Sequence, residues 1–412
     1  MRAPVLKTLI AGLVVLATTA AQARLITSCS SEGTNGDLKG SSNMHSSMPI
    51  ASVSKVFTSL WAAERLGLSY RFPTQVYLTK LSDGTHNVHL RGSAFPYFDR
   101  VMFYFLIGEL NKRGVKAINE LTYDENFEYA SIVRTKGDLV HSSGEQSETE
   151  IMRELRADVT GLKTRYAQYV SRTQSLVPEV KLPKSVSLTV KNIAAQSMKV
   201  FNAAKTDSSF ILRSSELHRT LKELNRNSHN FAADKVFERL ARSEKFDSYM
   251  TKMVGAADKE FDFYNGSGYP EFVSGRKVYN SASCRTVVEV VKRLTKVATD
   301  QGKGLRYILP VAGSDASADG NSTVTNIYLT NNTDDSLLAK TGTISQSVSL
   351  AGAALTQDGV VFFHATSSTK DYTSIRNFLS SIIKTNGGKD PLDNYKARAF
   401  VPFDENSIQE VK

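Results

Sequence analysis

A serine with a lysine three residues on, Ser52-Val53-Ser54-Lys55, is the stretch of this chain best suited to chemistry. On a helix, positions i and i+3 share a face, so the Ser52 hydroxyl and the Lys55 amine can meet. A serine hydroxyl is a weak nucleophile until an adjacent base takes its proton. Lysine serves as that base when burial or a second cation depresses its pKa. The pair points to covalent acyl transfer. Alone it is a weak signal, because chance supplies the same spacing in a chain of this length, and it then marks only a helix start. Two more motifs lie downstream: Ser228-His229-Asn230 has the S-x-N form, and Lys340-Thr341-Gly342 is a K-T-G. Three short motifs in this order are far more specific than any one of them.

Each motif falls in an element able to position it. Val56, Phe57, Leu60, Trp61 and Leu66 give the segment 52–67 an apolar helical face, and Gly67 suits its stop. Leu217–Leu224 reads as a helix leading into the S-x-N loop, and Phe231–Arg242 as the helix leaving it. The K-T-G and Leu350–Leu355 read as strand, and Val360–Ala365 is expected to pair antiparallel across the turn 357–359. Elsewhere, strands are expected at 70–77, 85–90 and 186–190, and helices at 102–113, 193–204, 287–294 and 374–384. Ile151, Leu155, Val159, Leu162, Tyr166 and Tyr169 recur every three or four residues and predict one amphipathic helix. Residues 313–335 read as loop, and the polar tail after Gly387 as a surface wrap.

The chain opens with Arg2 and Lys7, a short apolar run from Leu9 to Ala20, and a small-x-small site at Ala21-Gln22-Ala23, the pattern of an export signal over 1–23. The run is shorter than the ~20 residues of a membrane span, so the mature chain is expected to begin near Arg24 without a span, in a periplasmic or secreted setting. Residues 1–23 hold no acid, so losing Arg2 and Lys7 takes the formal charge from +10 to +8. That surplus suits an anionic surface such as cell wall, although solubility alone accounts for it equally well. The export signal disfavours nucleic acid as a partner. Cys29 and Cys284 enter a compartment that permits disulfides, and they either bridge or remain two buried thiols. The seven histidines include no H-E-x-x-H pair, which argues against a zinc peptidase.

The motif order is that of the penicillin-binding proteins and serine β-lactamases. More closely, the chain resembles the class C low-molecular-mass penicillin-binding proteins, the DacB-type D-alanyl-D-alanine carboxypeptidases and endopeptidases of peptidase family S13. The resemblance extends to Arg219–Leu240 around the S-x-N, the turn Tyr264–Tyr269 (YNGSGY), Leu309–Gly313 (LPVAG), the K-T-G strand to Ala354, and Val186–Ala204. It covers over half of the mature chain. It implies an α+β class, a penicillin-binding, serine β-lactamase-like transpeptidase fold with an antiparallel sheet flanked by helices and a smaller inserted domain. The peptidase domain would take 24–75 and 185–412, and the insertion 76–184. The chain departs from the family in a short stretch before Ser52, in Leu90–Pro96 where a glycine-rich turn ending in Asp-Pro is usual, and in a short segment between Lys55 and Ser228. Residues 131–182 match poorly, so the insertion is expected to be reduced.

The resemblance implies that Ser52 attacks the carbonyl between two D-amino acids of peptidoglycan and that Lys55 accepts its proton. Ser228 would relay that proton to the leaving amine, and Asn230 would hold Lys55 and the substrate amide. Lys340 would keep the Lys55 amine neutral and attract the substrate carboxylate, which Thr341 and Thr343 bind. Gly342 would leave room for the strand, and the N–H groups of Ser52 and Thr343 would form the oxyanion hole. No metal or cofactor is required. Peptidoglycan is the implied partner and β-lactam antibiotics the implied covalent inhibitors. His229 invites a triad reading, but the middle residue of S-x-N varies in the family. Tyr269 and Arg276 are candidates for the cleft wall or the surface. A serine β-lactamase and a non-catalytic wall-binding protein are the competing functions. The intact motifs weigh against the second, and the absence of a separate deacylating glutamate motif weighs against the first.

Overall fold

The computed structural model describes residues 26–130, 132–135, 138–141, 147–257, 259–316, 322–345 and 347–411; the expected export signal lies outside them. The chain has the α+β class expected from its sequence. Its main sheet has five strands in the order Leu337–Ile344, Ser347–Thr356, Gly359–Ser367, Ile26–Glu32, Leu38–Gly40, and every pairing is antiparallel. Alternation along the strands makes the sheet two-faced. Val348, Leu350, Phe363 and Ala365 pack on Ile375, Leu379 and Ile383 of the helix Tyr372–Thr385. Ala351, Ala353 and Phe362 face the larger core, which holds the helices Ser54–Arg65 and Cys284–Asp300. Cys29 on the Ile26 strand is bridged to Cys284 at the start of the second of these helices, across 255 residues of sequence. The bridge settles a pairing that the sequence leaves open.

The helix Ser54–Arg65 is buried on nearly every side, from Ser54 through Ala63, and ends where Gly67 adopts φ +82°. A helix enclosed in this way can hold a lysine out of water. The expected K-T-G hairpin is present in full: Lys340 is in register with Ala351, and Ala351 with His364.

A second, six-stranded sheet runs Ile408–Glu410, Ser208–Arg213, Pro73–Lys80, His86–Arg91, Ala117–Tyr123, Thr189–Ala195. Its last three strands are parallel. The helix Arg100–Lys112 lies between the first two of them in sequence, and a helical pair between the next two, as parallel neighbours require a crossover. This sheet draws strands from both sides of the 184/185 boundary expected from the sequence.

Four local expectations change. The single amphipathic helix is two, Glu148–Val159 and Leu162–Thr173, broken at Gly161 with φ +67°. No α-helix forms over the expected 193–204: its first three residues end a strand, where Ala194 and Ala195 pair with Thr122 and Tyr123, and the rest is turn and loop up to a short 3-10 helix at Ala203–Lys205; sheet pairing overrides alanine's helix propensity. The stretch 313–335 contains a short helix, Thr323–Tyr328. The tail does more than wrap the surface: Phe403 is buried against Phe105 with stacked rings 4.0 Å apart, and Ile408–Glu410 completes the second sheet. Among the described residues, no helix is long and apolar enough to cross a membrane.

Candidate active site

The nucleophile candidate sits on a strained turn. Ala51 takes φ +49°, a costly value for a residue with a Cβ, immediately before Ser52. The next turn of helix brings Lys55 beneath it, with Lys55 Nζ 3.0 Å from Ser52 Oγ. Lys55 is fully buried and has two further partners, Asn230 Oδ1 at 2.8 Å and the Ser267 carbonyl at 2.8 Å. Burial lowers its pKa to about 7, opposed by the carboxylate of Asp234.

Ser228 joins two helices, Leu217–Arg226 and Asn230–Ala241, and takes φ +55° to do so. This reversal turns Asn230 toward Lys55 and Ser228 toward Lys340. Lys340 Nζ donates to Ser228 Oγ at 3.0 Å and to the Thr341 carbonyl at 2.7 Å. Lys340 is also fully buried, and burial, followed by the nearby Lys55, pulls its pKa well below the usual lysine value. The family resemblance assigns Lys340 the task of keeping Lys55 neutral; at Lys55 itself the leading cause is burial.

The Lys340 strand passes close over the turn that carries Ser52. A Cβ at Gly342 would lie 2.4 Å from the Ile50 carbonyl oxygen and 3.2 Å from Ser52 N, so the position excludes any side chain. Thr341 donates to the Thr323 hydroxyl at 2.9 Å, and Thr343 is exposed one residue beyond Gly342. The LPVAG segment braces the strand's outer edge, with Ala339 N bonded to the Pro310 carbonyl and Ala312 N to the Leu337 carbonyl.

All eight residues singled out from the sequence thus lie in two hydrogen-bonded groups and one strand beside Ser52. His229 is buried, with its ring stacked on Tyr97 at 5.2 Å. Tyr269 is exposed, and Arg276 lies on the exposed hairpin Glu271–Val273/Arg276–Val278. Sequence reasoning missed Asp234, Thr323 and the part played by Ser267. The Asp234 carboxylate accepts from Ser267 N at 2.7 Å, and burial pushes its pKa up to about 6 against the pull of Lys55. Its position four residues after Asn230, on the same helix face, was the available signal. The described residues contain no cluster suited to hold a metal ion.

The arrangement can run acyl transfer: a hydroxyl beside a buried amine poised near neutrality, with a second amine and a hydroxyl on the neighbouring strand and turn. Structures of known proteins carry the same fold. A predatory peptidoglycan endopeptidase from Bdellovibrio bacteriovorus superposes with a TM-score of 0.83 at 28% identity, covering 94% of this chain and 100% of its own. Its penicillin G-acylated form, in complex with an immunity protein, gives 0.80 at 28% identity, covering 94% of this chain and 100% of its own. Penicillin-binding protein 4 from Haemophilus influenzae shares the fold at a TM-score of 0.60 and 14% identity, covering 88% of this chain and 97% of its own. No curated protein sequence matches the chain. The family model for D-Ala-D-Ala carboxypeptidase 3 (S13) matches residues 18–134 and 187–385. With more than half of its length matched by that family, the chain belongs to the S13 family of D-Ala-D-Ala carboxypeptidases.

Proposed function

We propose that this serine DD-peptidase cuts both the terminal D-Ala-D-Ala bond and the D-amino-acid cross-links of peptidoglycan, with Ser52 as nucleophile. The observation that carries the reading is the 3.0 Å approach of the buried Lys55 amine to the Ser52 hydroxyl. Lys55 takes the Ser52 proton as Ser52 attacks the D-Ala carbonyl. The N–H groups of Ser52 and Thr343 receive the oxyanion; the close passage of Gly342 over Ser52 N supports this pairing. Such a donor is worth ~3–4 kcal/mol. Ser228, hydrogen-bonded to Lys340, passes a proton to the departing amine. That amine carries a carboxylate on its α-carbon in either substrate, and Lys340, Thr341 and Thr343 bind it. Asn230 holds Lys55 and the substrate amide, and water then releases the acyl group from Ser52.

The endopeptidase reading has two supports. The segment between Lys55 and Ser228 is expected from the sequence to be short for the family, which would leave room on the leaving-group side for a second stem peptide, and the Bdellovibrio protein of the same fold is a peptidoglycan endopeptidase. The basic charge favours an anionic wall, and the expected export signal places the enzyme in the periplasm or outside the cell. β-Lactams, which mimic the D-Ala-D-Ala carbonyl, are expected to acylate Ser52 as stable covalent inhibitors. Digestion of purified sacculi tests the choice of bond. Cross-linked dimers should fall as tetrapeptide monomers rise. Loss of pentapeptides with dimers untouched would show that the cleft excludes the second stem.

A further inference from the structure

The three partners of Lys55 Nζ match what a neutral amine can offer. Such an amine has two N–H donors and one lone pair. The Ser267 carbonyl can only accept, and Asn230 presents its Oδ1, also an acceptor. Giving one proton to each leaves the lone pair for the third neighbour, the Ser52 hydroxyl. The direction of the base therefore depends on Ser267 staying in place.

Ser267 is fixed from both sides. A Cβ on Gly266 would lie 2.4 Å from the Ala233 carbonyl oxygen, and one on Gly268, at φ +73°, 2.0 Å from the Ala51 carbonyl oxygen. The loop is thus pressed between the Asn230 helix and the nucleophile's turn. The Ser267 N–H donates to Asp234 at 2.7 Å. Asn230 and Asp234, one helical turn apart, hold Lys55 directly and through Ser267.

We infer that Asp234 is a positioning residue for the general base: it anchors the carbonyl that orients Lys55, and its negative charge opposes the effect of burial on the amine. This rests on Lys55 being the base in the function proposed above. Lys55 feels Asp234 from the Asn230 helix and Lys340 from the K-T-G strand; Asp234 feels Lys55 and, one turn on, Glu238, which is itself paired with Lys235. Asp234 stabilises the protonated amine, so removing its charge must make Lys55 lose its proton at lower pH.

The test is a pH profile of penicillin acylation alongside an NMR titration of the Lys55 Cε resonance, in wild type, Asp234→Asn and Asp234→Glu. Asparagine keeps an acceptor for Ser267, so the alkaline plateau should survive, while the acidic limb and the Lys55 titration both move down by about one pH unit. Glutamate should return both toward wild type. In wild type and Asp234→Glu, but not in Asp234→Asn, the Lys55 resonance should show a second inflection from the carboxylate at position 234, below its own. A purely structural role would lower the plateau or the stability without moving the limb. An unmoved Lys55 titration in Asp234→Asn, or a single inflection in wild type, overturns the inference. A shifted Lys55 titration in a protein that is not acylated at Ser52 would instead remove the functional reading and leave the coupling standing.

Discussion

Lys340 donates to the Ser228 hydroxyl at 3.0 Å across 112 residues of sequence. Through this bond the K-T-G strand and the S-x-N turn act as one unit, while Lys55 ties the other end of S-x-N to Ser52 through Asn230. Two buried amines are thereby kept on separate partners. Lys340 is stripped of water, and in the free enzyme burial and Lys55 both disfavour its charge. An arriving carboxylate reverses that preference.

Lys340→Ala should therefore discriminate between substrates. A hydrogen bond to a charged group is worth about 1.5–3 kcal/mol. The variant should lose roughly ten- to a hundredfold in acylation rate with penicillin, and much less with a penicillin methyl ester. Stopped-flow acylation with both compounds measures this. Equal losses would mean that Lys340 does not read the carboxylate.

Gly342→Ala should remove activity even from the molecules that fold. The new methyl would meet the Ile50 carbonyl and push the strand from Ser52 N. A misplacement of about 1 Å at a reacting centre costs ~100-fold. Acylation kinetics beside thermal unfolding checks it, and near-normal acylation would show that the strand's approach to Ser52 is not needed.

Burial of Lys55 should appear in the pH dependence of stability. Its pKa falls from 10.5, the ordinary value for a lysine in water, to about 7 in the fold. Between those values the unfolded chain binds the extra proton, so stability rises with pH. Each unit is worth about 1.4 kcal/mol. From about pH 7 to pH 9, wild type should gain ~2 kcal/mol over Lys55→Met in urea unfolding. A constant difference between the two proteins would show that Lys55 is charged in the fold.

The Cys29–Cys284 bridge joins the main sheet to the helix that backs the Ser54 helix. Replacing both cysteines by serine should cost about 2–5 kcal/mol, seen as a lower Tm in non-reducing buffer, with the acylation rate of the folded fraction unchanged. A Tm equal to that of the wild type would assign the bridge no stabilising role.

The candidate site was legible because its residues are grouped locally in sequence. Ser52 and Lys55 are one helical turn apart, Ser228 and Asn230 flank one residue, and Lys340–Thr343 are consecutive, so short spacing encodes each group even though the fold must join them. Asp234 escaped because its spacing from Asn230, the one local signal, assigns it no role until Ser267, from a distant loop, meets it. Thr323 lay in a stretch read as loop, and only the fold brings it to Thr341. The main sheet's hairpins were legible because neighbours in sequence pair. The second sheet was not, because Thr189–Ala195 pairs with Ala117–Tyr123 and Ile408–Glu410 with Ser208–Arg213. Such long-range partners leave no local periodicity, and alanine-rich 193–204 read as helix for that reason.

The central claim is that Ser52 is the acylated residue. Incubating the purified protein with penicillin, digesting it and mapping the adduct by mass spectrometry tests this directly. One penicilloyl group on the peptide containing Ser52, absent from Ser52→Ala, is the predicted result. An adduct that persists in Ser52→Ala, or that maps to another residue in the wild type, would contradict it.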